Sequence, residues 1–94
     1  MKKIDLQKIT PILKNSGVIS AGIFGFCVKN KLNPNDIDIL VEMAQPLGLI
    51  GMARLENQLS QILSMPVDLI TKKSLSPYLR QRILNETQIF YERK

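Results

Sequence analysis

Histidine and tryptophan are absent from this chain of 94 residues, and cysteine occurs once, at Cys27. The common Cys/His zinc sites are therefore excluded, as is an internal disulfide, so any bound metal must be held by oxygen ligands. Aromatic residues are scarce, two tyrosines and three phenylalanines, and they do not interleave with basic residues as in surfaces that stack single-stranded nucleic acid. No apolar run approaches the roughly 18 residues that cross a bilayer. Met1, Lys2 and Lys3 open like a secretory leader, but Asp5, Gln7 and Lys8 interrupt the apolar segment a leader requires. The expectation is a soluble, cytoplasmic protein with no membrane partner.

What remains is an ordinary globular composition, 45% hydrophobic and 22% charged, at a length that supports one core. Residues 1–94 read as a single domain. The net charge is +5, and much of it lies beyond Thr71, where Lys72, Lys73, Arg80, Arg82, Arg93 and Lys94 outweigh Glu86 and Glu92. Such a surplus attracts nucleotides, nucleic acid or an acidic protein without choosing among them. A solvated helix face explains it as well.

Ile4, Leu6, Ile9, Ile12 and Leu13 recur at near-helical spacing, with Pro11 either starting or kinking the helix and Ser16-Gly17 ending it. Residues 18–26, rich in Val, Ile and Phe, predict a buried strand in which Gly22 and Gly25 mark close backbone approach. Asn33-Pro34-Asn35 signals a turn, and residues 36–43 predict a second strand. Leu49, Met52, Leu55, Leu59, Ile62 and Leu63 then form an apolar helical stripe, opposed by Arg54, Glu56, Gln58 and Gln61. Pro66 stops that helix and opens a short strand at residues 67–71. Ser76 and Pro77 predict an N-cap and first position for a last helix, with Leu79, Ile83, Leu84 and Phe90 on its buried side. The order α-β-β-α-β-α predicts an α/β (α+β) fold, a mixed sheet with helices packed on it.

Against this background the acids stand out. Asp36 and Asp38 alternate within the second strand, and Asp68 interrupts Pro66-Val67-Asp68-Leu69-Ile70. Alternate strand residues share a face, which puts the Cα atoms of Asp36 and Asp38 about 6.6 Å apart. Two such charges repel by roughly 3 kcal/mol at an effective dielectric near 20, a cost that a cation or an open, solvated face relieves. Mg²⁺ or Mn²⁺ suits carboxylates that leave positions open for water and phosphate oxygens. A third acid on a neighbouring strand allows a second ion for in-line phosphoryl transfer. Cys27, between Phe26 and Val28, reads as a small core residue rather than a nucleophile.

Gly25 after the apolar Gly22-Ile23-Phe24, eleven residues before Asp36, with the Asp36-Ile37-Asp38-Ile39 run, resembles the minimal nucleotidyltransferases of the DNA polymerase β superfamily. Their pattern is Phe-Gly-Ser, a short loop, then Asp-Ile-Asp-Leu. The resemblance covers nearly the whole chain and extends to Ile83-Leu84-Asn85-Glu86 and Ile89-Phe90-Tyr91-Glu92. It implies that Gly25 and its neighbour Phe26 hold the nucleoside triphosphate, that Asp36 and Asp38 bind divalent ions, and that Asp68 is the third metal-binding and catalytic acid. It also implies transfer of AMP from ATP to a hydroxyl of a protein partner, a HEPN-type toxin for which this chain is the antitoxin.

Two positions depart from the family. Phe26 stands where serine is usual, removing a hydroxyl donor and adding bulk, although backbone N–H groups there can still cradle phosphate. Asn30 aligns with a second family glycine and tolerates a left-handed turn. The departure at Phe26 opens an alternative, a degenerate nucleotidyltransferase fold that neutralises its partner by docking alone. A small basic nucleic-acid-binding domain is the other alternative.

Overall fold

The computed structural model describes residues 5–24 and 37–93. Gly25, Phe26, Cys27, Asn30 and Asp36 lie outside the described residues. A 3₁₀ turn at Leu6–Lys8 leads into helix α1, Thr10–Asn15. Pro11 starts this helix rather than kinking it: proline lacks the N–H that the first turn leaves unpaired in any case. Gly17, at φ 83°, supplies the left-handed residue that turns the chain into strand β1, Val18–Phe24. Strand β2, Ile37–Met43, is followed by helix α2, Gly48–Leu63, and strand β3, Val67–Thr71. A second 3₁₀ turn at Lys72–Ser74 precedes helix α3, Pro77–Glu86. There the Ser76 side chain accepts from the Tyr78 N–H and Pro77 occupies the first turn, as the sequence predicts.

The chain then diverges from the expected order. It continues past α3 into a fourth strand, β4, Thr87–Glu92, which pairs antiparallel with β1. Phe90 belongs to this strand and not to the stripe of the last helix. The mixed sheet runs β3-β2-β1-β4, with β2 antiparallel to β1 and parallel to β3. The parallel pair is joined by α2, the crossover that such pairing requires.

One face of the sheet carries the core. Ile37, Ile39 and Val41 of β2, Ala21 of β1, and Val67 and Leu69 of β3 pack with Leu55 and Leu59 of α2 and with Ile9 and Leu13 from the N-terminal segment. Met52 and Leu63 complete the α2 contact, but Leu49 is 91% exposed. Leu49 lies in the first turn of the helix, roughly 120° around from Leu55. Ile62, also expected in the stripe, is exposed at the last turn. Burying this apolar face is the main favourable contribution to folding. Gly22 lets β4 close on β1: a Cβ there would run into the Thr87 methyl and come within 3.0 Å of the Gln88 carbonyl. The β1–β4 register shifts at the same place, between Ala21 and Gly22.

Candidate active site

Alternation along β2 sends Ile37, Ile39 and Val41 into the core and Asp38, Leu40 and Glu42 to the opposite face. The same period in β3 buries Val67 and Leu69 and turns Asp68 outward, where it is exposed. The parallel register pairs Asp38 directly with Asp68. Two acids thirty residues apart in sequence are thus side-by-side neighbours on adjacent strands, with backbones about 4.8 Å apart. Asp38 is half-buried. The pair sits at the end of the sheet where β2 and β3 begin, β1 finishes at Phe24, and β4 enters opposite it at Thr87.

Away from the acids the same face becomes apolar and then charged. Leu40 is opposite Ile70 on one side and Gly22 on the other. Beyond it Glu42 pairs with Lys72 at 3.2 Å. This lysine therefore neutralises an acid four residues along the strand from Asp38. Oxygen-only donors of one sign, on a face turned from the core, fit a hard divalent cation.

Of the residues the sequence nominates, Asp38 and Asp68 are brought together. Asp36, Gly25 and Phe26 lie outside the described residues. Among the described residues, no group of three or more acids or other metal-ligating side chains is gathered, so the described part of the site is a pair. The sequence reading missed Glu56 and Ser60, which touch the strand bearing Asp68. Glu56 was expected on the solvent side of α2. Instead its Oε2 accepts the Leu69 N–H at 2.8 Å, and Ser60 Oγ accepts the Val67 N–H at 2.9 Å. Their spacing of four on the flank of the apolar stripe was the available signal.

Comparison with known proteins identifies the family that this sheet belongs to. Residues 7–94 match the polymerase β nucleotidyltransferase family, and the chain belongs to it. A relative from Methanocaldococcus jannaschii, provisionally named a protein adenylyltransferase, is 43% identical over 81 residues, spanning 85% of this chain and 87% of that protein. The protein adenylyltransferase MntA of Thermococcus cleftensis is 30% identical over 95 residues, spanning 92% and 96%. Among solved structures, a toxin–antitoxin structure with AMP-PNP is matched with a TM-score of 0.74 at 26% identity, covering 94% of this chain and 73% of that one. A complex of the tri-AMPylated Shewanella oneidensis HEPN toxin with its MNT antitoxin is matched with a TM-score of 0.72 at 26% identity, covering 93% and 69%. The fold is that of the minimal nucleotidyltransferases.

Proposed function

We propose that this chain is a metal-dependent protein adenylyltransferase that moves AMP from ATP onto a hydroxyl of a HEPN-type toxin, and so acts as its antitoxin. The observation that carries the proposal is the direct pairing of Asp38 with Asp68 on the sheet face turned from the core in a member of the nucleotidyltransferase family. The names of the relatives and the content of the matched complexes support the choice of donor and acceptor.

In this reading Asp36, Asp38 and Asp68 hold Mg²⁺ or Mn²⁺. The ion supplies charge neutralisation at the phosphates and a lowered pKa for the attacking hydroxyl. Gly25 and Phe26 offer backbone N–H groups to the triphosphate. The acceptor hydroxyl oxygen bonds to the α-phosphorus as the bond from that phosphorus to the bridging oxygen breaks. Pyrophosphate leaves, and Asp68 takes the hydroxyl proton. Residues 1–94 act as one domain, and the single cysteine suits a reducing cytoplasm.

Incubation of the purified chain with α-labelled ATP, Mn²⁺ or Mg²⁺ and its toxin partner tests the proposal. Label on the toxin, lost in an Asp38→Asn, Asp68→Asn double variant, is the expected result. An unlabelled toxin with every metal and nucleotide tried would sink it. Phe26, in place of the family serine, gives the docking alternative its own prediction: the double variant would still neutralise the toxin.

A further inference from the structure

Among the described residues β3 is an edge strand, paired with β2 on one side only. In the parallel ladder the Ile37 N–H donates to the Pro66 carbonyl at 3.0 Å. This phase turns the backbone groups of Asp68 toward β2 and those of Val67 and Leu69 outward. Helix α2 meets both outward amides, Ser60 Oγ accepting from Val67 and Glu56 Oε2 from Leu69. The two acceptors are one helical turn apart, a rise of about 6 Å, and the two amides are two strand residues apart, about 6.6 Å. The helix and the strand therefore match in period along this edge.

We propose that Glu56 and Ser60 are positioning residues that hold Asp68 beside Asp38 for cation binding, an inference that rests on the metal-site reading above. Among the described residues no strand pairs beyond β3, so this outer strand is the one with freedom to shift Asp68 relative to Asp38. The bonds from α2 fall on the two residues flanking Asp68. They fix its backbone against both sliding and rotation while leaving its carboxylate on the open face. The Glu56 bond is charge-assisted, the stronger class of such contacts. Neither side chain touches the reacting groups in this reading; each acts through the backbone of β3.

The test is Mn²⁺ binding to the purified chain, followed by paramagnetic resonance, with amide hydrogen exchange at Val67 and Leu69 measured alongside. Loss of a supporting contact behind a metal ligand typically weakens binding by about 10-fold or more. Glu56→Ala is expected to raise the Mn²⁺ Kd by about that factor and to speed exchange at Leu69. Glu56→Gln keeps an acceptor oxygen and is expected to restore the affinity, which a requirement for charge alone would not allow. Ser60→Ala is expected to weaken binding by a smaller factor and to speed exchange at Val67, and it carries the test if Glu56→Ala does not fold. Faster exchange with unchanged Mn²⁺ affinity overturns the proposal, since the bonds would then support the edge and nothing more. Asp68→Asn separates the two claims. If it binds Mn²⁺ like the native chain, the metal reading fails and takes the positioning role with it. If it binds weakly while Glu56→Ala and Ser60→Ala bind normally, only the positioning role fails.

Discussion

The two outer strands of the sheet are held in place by different means. At the β3 edge, side chains from α2 occupy the outward amides of Val67 and Leu69 one by one. At the β4 edge, order comes from close packing: Gly22 lets Thr87 and Gln88 approach β1, and the register shifts beside it. Directed hydrogen bonds fix a position along the strand, whereas close packing fixes the distance between strands. The edge secured by directed bonds carries Asp68. Unpaired strand edges invite further pairing, and both a covering helix and a bulge are recognised ways to prevent it.

The comparison can be broken from either side. The largest expected effect is on chemistry at the β3 edge. Asp68→Asn should reduce AMP transfer by about a hundredfold or more, the scale of losing a group that handles charge or a proton in the transition state. Circular dichroism and the thermal midpoint should barely move, because the Asp68 side chain lies outside the core. At the β1–β4 seam Gly22→Ala should do the reverse in kind and destabilise the fold by about 1–3 kcal/mol through overpacking against Thr87. Urea unfolding would show it as a lower midpoint.

Smaller effects sharpen the picture. Ser64 caps α2 in the left-handed region, at φ 58° and ψ 38°. Ser64→Gly should therefore stabilise the chain by about 1 kcal/mol, the strain a side chain incurs in that region. Lys72→Ala removes the 3.2 Å contact with Glu42, whose partners are both substantially exposed. It should alter stability by less than about 1 kcal/mol and leave AMP transfer by the acid pair, four residues away along each segment, unchanged.

Much of the fold was legible because it obeys local rules. The apolar runs at Val18 and Ile37, the stripe around Leu55 and Leu59, and the Ser76-Pro77 start signal each identify their element without help from the rest of the chain. β4 was not legible in this way. Ile83 and Phe90 are seven residues apart, which imitates two helical turns, and only pairing with β1 makes Thr87–Glu92 a strand. Thr87, Ile89, Phe90 and Tyr91 carried the β-favouring chemistry that competed with that spacing.

The site divides along the same line. That Asp38 faces away from the core follows from alternation alone. That it neighbours Asp68 depends on a parallel pairing of strands separated by a helix, which no local pattern specifies. Glu56 was hidden for a related reason: a carboxylate beside an apolar stripe looks solvated until the strand beyond the helix presents an N–H to it.

The register of β3 has one more consequence. Sliding this strand by a single residue would turn Val67 and Leu69 into water and drive the Asp68 carboxylate into the hydrophobic interior. Sliding it by two would keep the faces but offset the acids by about 6.6 Å and strand both acceptors on the helix. Hydrophobic assembly thus rejects the odd slip and the two helix acceptors disfavour the even one, so a chain that satisfies both has set Asp38 against Asp68.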